Sequence, residues 1–130
     1  MKSQNKETGN KGEQLATDFL EKKGYRIEER NFRTRFGEID IVCWDGETLV
    51  FVEVKTKIGH DFGEPEEMIN KGKLAQVKRM GEVYIIQRTQ ELKESRNQDR
   101  WKGLCRVDVV AVVLEQDGSV ERIEHYQAVY

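Results

Sequence analysis

Two short stretches of this chain bring acidic and basic side chains into a pattern that could do chemistry: Gly37-Glu38-Ile39-Asp40 and Phe51-Val52-Glu53-Val54-Lys55. Both sit in runs of β-forming residues, and Asp45-Gly46 between them is a strong hairpin signal. On a two-residue Asp45-Gly46 turn, Trp44 faces Glu47, Asp40 faces Phe51 and Glu38 faces Glu53. Side chains alternate along a strand and opposed residues share a face, so Glu38, Asp40, Glu53 and Lys55 all project to one side. Asp40 and Glu53 are then diagonal neighbours, with α-carbons roughly 7–8 Å apart, close enough for two carboxylates to converge on one ion. Carboxylates gathered at the edge of a core repel one another and are costly to desolvate, and a bound cation removes much of that cost. Oxygen ligands without His or Cys beside them favour Mg2+ or Mn2+ over zinc. Lys55 could orient an attacking water or offset charge developing on a phosphate. The reaction this set suits is metal-assisted phosphodiester hydrolysis.

Either half alone says little. A Glu-x-Lys on a strand is ordinarily a solvated face with a minor ion pair, and an Asp before a hairpin is ordinarily a turn residue. The coincidence of face carries the argument, and a one-residue slip of register would destroy it.

The elements needed to position these residues are legible along the chain. Residues 1–9 read as a polar tail, and Asn10 reads as the cap of a helix over 11–23 with Leu15, Ala16, Phe19 and Leu20 as its apolar stripe and Gly24 as its stop. Glu13 falls in its first turn, where the helix dipole favours an anion. Strands are expected over 25–32, 38–44 and 49–55, then a loop with Gly59, Gly63 and Pro65, then a helix over 71–87 with Leu74, Val77, Gly81, Tyr84 and Ile85 along one side. Residues 88–102 read as an exposed charged connection. Cys105 to Leu114 reads as a central strand covered on both faces, and Asp117-Gly118 turns the chain into a last strand over 120–127. The order helix, three strands, helix, two strands makes an α/β domain bordering on α+β, with a mixed sheet of about five strands flanked by helices.

The totals agree with one folded domain over 10–130. The chain has 130 residues, 37% hydrophobic and 35% charged, with its apolar residues in blocks. A net charge of −2 argues against a protein that coats nucleic acid non-specifically, but not against an acidic site among local basic patches. No apolar run spans a bilayer, and the N-terminus resembles neither a signal peptide nor an anchor, so a cytoplasmic protein without membrane partners is expected. Cys43 and Cys105 are read as two buried free thiols. Asp108, inside a buried strand, needs a partner such as Arg106 or a backbone donor. His60 and His125 have no partner pattern and are read as non-catalytic; Trp44 is read as packing. Arg26, Arg30, Arg33 and Arg35 form a basic run beside the site, and Lys71, Lys73, Lys78 and Arg79 lie on the second helix. A charged helix face is usually just solvated, but Lys73, Arg33 and Arg35 are the residues best placed to contact phosphates of a nucleic acid.

Several separated motifs also resemble a known family. Lys11-Gly12-Glu13, Gly24-Tyr25, Arg30-Asn31-Phe32-Arg33, Gly37-Glu38-Ile39-Asp40, Phe51-Val52-Glu53-Val54-Lys55-Thr56 and Asp108 within Arg106-Val107-Asp108-Val109-Val110 stand in the order seen in the uncharacterised bacterial YraN-like family. That family is similar to the restriction-endonuclease-like (PD-(D/E)XK) nucleases, with Holliday-junction resolvases among the nearest relatives. The resemblance implies Asp40 and Glu53 as metal ligands, Lys55 as the catalytic lysine and Glu13 as the helix carboxylate completing the site; Ile39 stands where a proline often precedes the Asp. Three functions compete. The first is a metal-dependent nuclease acting on DNA, including branched or flapped forms. The second is a nucleic-acid-binding or assembly protein that keeps the fold without turnover. The third is a glycosidase-like carboxylate pair, which Lys55 and the lack of an aromatic sugar platform disfavour. A junction-cutting enzyme would call for a homodimer to address two strands.

Overall fold

A computed structural model describes residues 2–59, 70–94 and 101–130. The elements follow the order α1 (Lys2–Lys22), β1 (Arg26–Thr34), β2 (Gly37–Asp45), β3 (Thr48–Ile58), α2 (Lys71–Glu94), β4 (Cys105–Leu114) and β5 (Val120–Tyr126). The five strands form one mixed sheet in sequential order. All neighbours are antiparallel except β3 and β4, which run parallel and are joined through α2. This is the α/β arrangement expected from the sequence, element for element. No helix among the described residues is long and apolar enough to cross a membrane.

Each helix covers one face of the sheet. Ala16 and Leu20 of α1 pack with Ile41, Cys43, Val50, Val52, Val110 and Val112. Leu74, Val77, Met80 and Tyr84 of α2 pack with Val42, Trp44, Leu49, Phe51, Val107 and Val109. The alternation of these strand residues between the two clusters is the period-two pattern of a sheet buried on both sides. Val107 to Leu114 is buried throughout, which makes β4 the covered central strand that its composition announced. Helix α1 ends at Gly24, whose φ of +93° suits a left-handed cap: the Gly24 amide donates to the Glu21 carbonyl and the Tyr25 amide to the Leu20 carbonyl. Asn70 caps α2 through its side chain, which accepts the Lys73 amide at 3.1 Å.

Several expectations need correction. Residues 2–9 are not a tail but the first turns of α1, because Lys, Gln and Glu are good helix formers and a single interior Gly9 costs only about 1 kcal/mol. Residues 88–94 likewise continue α2 instead of opening a charged connection. Arg88 there pairs with Glu29 of β1 at 3.3 Å and lies against the Phe32 and Tyr84 rings. The remainder of that connection up to residue 100, and the loop expected around Gly63 and Pro65, lie outside the described residues. Cys105 is exposed, since it opens β4 before the strand enters the core, whereas Cys43 is buried as expected. The hairpin turn is Gly46-Glu47, with Asp45 facing Thr48 and Val42 facing Phe51. Gly46, at φ +59°, takes the first turn position, where glycine is favoured. The register therefore moves by two residues from the one expected, and a shift of two preserves the faces of the residues in the paired stretch, 41–45 against 48–52.

Candidate active site

The two central strands part company where the acidic motifs lie. The β2–β3 ladder runs from Asp45↔Thr48 to Ile41↔Val52. One step further Asp40 and Glu53 would be opposed, but there the strands fork. Residues 37–39 of β2 pair with β1, and residues 53–58 of β3 pair with β4. The Asp40 carboxylate bridges the fork: its Oδ2 accepts the Val54 amide at 2.8 Å. It thereby satisfies a donor that the parted strand would leave open. Strand alternation also breaks at this point. Ile39 packs in the cluster on the α2 side and Ile41 in the cluster on the α1 side. Asn31, with φ +54°, lies across from the break in β1, between Arg30, which pairs with Ile41, and Phe32, which pairs with Ile39. In place of a regular hairpin with one shared face, the strands fork, and side chains from both sides of the sheet can reach into the gap.

That fork forms the wall of a cavity of about 370 Å3, lined by Glu13, Glu38, Asp40 and Glu53, by Val54 and Thr56, and by α1 at Thr8 and Gly9. Glu13 arrives from the helix because α1 lies directly on β3. A side chain at Gly12 would start 1.8 Å from Thr56 Oγ1, so glycine is what permits the approach. Lys55, two residues beyond Glu53 on the same side of β3, points its ammonium at Glu53, with Nζ 3.6 Å from Oε1. Asp40 and Glu53 are both buried, at 8% and 5% exposure. Burial, and then the neighbouring Asp40 charge, push the Glu53 carboxyl up to about 7. Burial also raises Asp40, the Val54 amide holds it down in part, and Glu38 raises it again. Glu13 is raised by burial and then by Asp40. Lys73, at the start of α2, is close enough to lower both Asp40 and Glu53.

All four residues expected to act in catalysis therefore meet at one place: Glu13, Asp40 and Glu53 as carboxylates lining the cavity, and Lys55 as the partner of Glu53. The three basic residues expected at phosphates also meet. Arg33, Arg35 and Lys73 line a second hollow of about 370 Å3 that shares Glu38 with the first. Arg33 is held there by Glu38 at 2.9 Å. Arg30 does not line that hollow and donates to Gln14 of α1 at 2.9 Å.

The donor set suits a hard divalent cation. Oxygen ligands from two strands and a helix face a shared space, where burial first and a neighbouring carboxylate after it raise three carboxyl groups above their ordinary values. As the side chains stand, no three His, Cys, Asp or Glu groups among the described residues already converge on one point. Coordination would require the carboxylates to swing inward from the cavity wall. Sequence reasoning gave no role to Thr56, although it closes the motif that begins at Phe51, and none to Phe36, a lone aromatic in an otherwise polar turn between β1 and β2. A large apolar residue in such a turn is the signal that could have found it.

Asp108 is answered as expected, and more fully. It accepts Arg106 Nε at 3.0 Å and the Ala128 amide at 2.9 Å, and it pairs with His125 Nε2 at 2.8 Å. His125, which has no sequence pattern around it, belongs to this buried network and not to the acidic cavity.

Comparison with known sequences places these observations in a wider set. Residues 12–112 match a group described as uncharacterised protein family UPF0102. The chain is similar to a UPF0102 protein of Desulforamulus reducens, 37% identical over 126 residues covering 96% of each chain. It is also similar to one of Syntrophomonas wolfei, 39% identical over 121 residues, which cover 93% of this chain and 95% of the relative. A third, from Syntrophus aciditrophicus, is 40% identical over 122 residues, covering 94% of this chain and 87% of the relative.

Proposed function

The chain belongs to the uncharacterised protein family UPF0102, and from the site it carries we propose that it is a metal-dependent nuclease that hydrolyses phosphodiester bonds in DNA. The observation that supports this most is the fork between β2 and β3. It delivers Asp40 and Glu53 into one cavity, with Glu13 from α1 beside them and the Lys55 ammonium 3.6 Å from Glu53. The cation would be Mg2+ or Mn2+, held by Asp40, Glu53 and Glu13, and when bound it would act as a Lewis acid toward the phosphate and lower the pKa of water.

The chain's own groups have defined tasks in this reading. Asp40 is fixed by the Val54 amide, so one of its oxygens is immobilised before any substrate arrives. Lys55 keeps one proton-bearing cation against a cluster of carboxylates, where it can hold a water for attack or balance charge on the transferring phosphoryl group. Arg33, Arg35 and Lys73 lie next to the cavity and supply the positive shelf on which adjacent phosphates would rest. A homodimer is not needed for hydrolysis of one strand, but it would let two such sites act on a junction.

The experiment uses end-labelled single-stranded, duplex, flapped and four-way DNA with Mg2+, Mn2+ or chelator. Metal-dependent cleavage that Asp40→Asn and Glu53→Gln each reduce by at least about 100-fold supports the proposal. Binding without cleavage under every condition would establish the alternative, a nucleic-acid-binding protein without turnover.

A further inference from the structure

Beyond the basic hollow lies a third, of about 470 Å3, between the β1–β2 turn and α2. The three are contiguous in the chain: Glu38 lines the first and second, while Gly37 and Lys73 of the second adjoin Phe36 and Gly72 of the third. The third differs in character. Met80 and Val83 give it an apolar floor, Phe36 stands at its mouth, and Gln76 and Arg79 add polar groups. Its size falls within the range of small-molecule pockets.

Phe36 is unusual here. It is 66% exposed, yet the backbone carrying it is tied down. Its amide donates to Thr34 Oγ1 at 3.0 Å, and its carbonyl accepts Gln76 Nε2 at 3.2 Å. Gly37 follows at φ +149°, where an added Cβ would meet Gln76 at 2.9 Å. The Arg35 guanidinium lies 4.9 Å from the ring centroid. A fixed backbone thus holds an aromatic ring out in water, flanked by arginine, at the mouth of an apolar hollow next to a row of cations. An aromatic face beside cations is the combination by which proteins hold unpaired nucleotides: the base stacks on the ring and the phosphates follow the positive charge.

We propose that this hollow receives an unpaired nucleobase stacked on Phe36, while the neighbouring phosphates run across Arg35 and Lys73 toward Asp40 and Glu53. The direction of that path rests on the nuclease reading; the base site itself does not. The substrate class that follows is a single strand or flap. In continuous duplex both faces of each base are already stacked, leaving none for Phe36 without unstacking.

The test measures binding, in Ca2+ buffer, of a fluorescent thymidine 16-mer, the same strand built entirely of abasic residues, a uridine 16-mer and a blunt 16-base-pair duplex. Wild type is expected to prefer the thymidine strand to the abasic one. Phe36→Ala is expected to weaken the thymidine strand by about 10-fold, the loss of one stacked base, and to leave the abasic strand and the duplex unchanged. Phe36→Trp should restore binding. Phe36 is exposed, so these variants do not threaten the fold. The uridine strand distinguishes DNA from RNA: equal binding assigns the site to any unpaired base, and weaker binding assigns it to DNA. The proposal fails if Phe36→Ala binds the thymidine strand as wild type does, if it loses strand and duplex alike, or if wild type binds none of the probes. Base-dependent binding through Phe36 in a protein that cleaves nothing would overturn the nuclease reading alone. Duplex cleavage indifferent to Phe36, with no base-dependent binding, would overturn this proposal alone.

Discussion

At the scale of single residues, Glu53 holds the strongest consequence. Its carboxyl is buried and lifted to about 7 by desolvation and by Asp40, against 4.5 for an ordinary glutamate. A raised acid pKa means the fold disfavours the charged form. The penalty is absent below about pH 4.5, where the group is protonated in both states. It grows as pH rises and is complete above about 7. Without divalent metal the protein should therefore lose stability between pH 5 and pH 8 by up to about 3 kcal/mol from this residue. Glu53→Gln should flatten that slope and be the more stable protein at pH 8; urea unfolding in chelator at both pH values reads this directly. The same group links metal to protons. Because Glu53 must lose its proton to ligate, Mn2+ affinity should rise through about pH 7, and binding below that should release protons. Calorimetry in two buffers of different ionisation enthalpy measures the release, and Glu53→Gln should abolish most of it. A pH-independent affinity would remove Glu53 from the ligand set. Asp40 and Glu53 were identifiable from sequence because their types stand out in apolar strands. Thr56 was not, because a threonine in a strand is unremarkable until a helix glycine is found against it.

At the scale of elements, the site depends on how closely α1 lies on β3. Gly12→Ala puts a methyl where Thr56 Oγ1 stands, so α1 must retreat and take Glu13 with it. The expected cost is about 1–3 kcal/mol of stability together with weaker Mn2+ binding. Thr56→Ala should recover part of both in the double variant, a coupling that a double-mutant cycle reports. Gly81→Ala is the matched control. It drives a methyl into the Phe51 ring, where the nearest carbon would be 2.7 Å away, on the α2 side of the sheet. It should destabilise to a similar degree while leaving Mn2+ affinity intact once the protein is folded. If both substitutions weaken metal binding alike, the effect is general loosening and Glu13 has no special place. The elements themselves were readable: periodicity marked both helices, and near-continuous Val and Ile marked β4. Their ends were not, because helix-forming residues at 2–9 and 88–94 lack the apolar stripe that periodicity detects.

At the scale of the whole molecule, the acidic fork is balanced by a second buried polar cluster at the other end of β2. Arg106 joins Asp108 to Asp45 at 2.9 Å and to the Tyr25 hydroxyl at 2.7 Å, while His125 links Asp108 to Lys23 at the end of α1. Burial alone would raise Asp108, but hydrogen bonds from His125, Arg106 and the Ala128 amide together hold it below its ordinary value. A depressed acid contributes stability above its unfolded value of 3.8 and loses it as pH falls through the lower folded value, so acid unfolding should begin below about pH 4. Asp108→Ala should cost about 1–3 kcal/mol, since it leaves the buried His125 ring and the Ala128 amide without their acceptor while Arg106 keeps Asp45. Thermal unfolding checks this, and its midpoint should not depend on added Mn2+ any differently from wild type, because the cluster lies away from the fork.

What the amino-acid order settled by itself was local: which residues form strands and helices, which faces are apolar, and that Asp40, Glu53 and Lys55 are out of place in such surroundings. These follow from periods of two and 3.6 and from side-chain chemistry, which act over a few residues. Tertiary structure alone decided the fork between β2 and β3, the seat of Glu13, the meeting of Arg33 and Arg35 with Lys73, and the pairing of Asp108 with His125. Each of these depends on segments far apart in the chain arriving at a common point. That arrival is fixed by how the described helices and strands pack on the two faces of one sheet, a property no short stretch possesses.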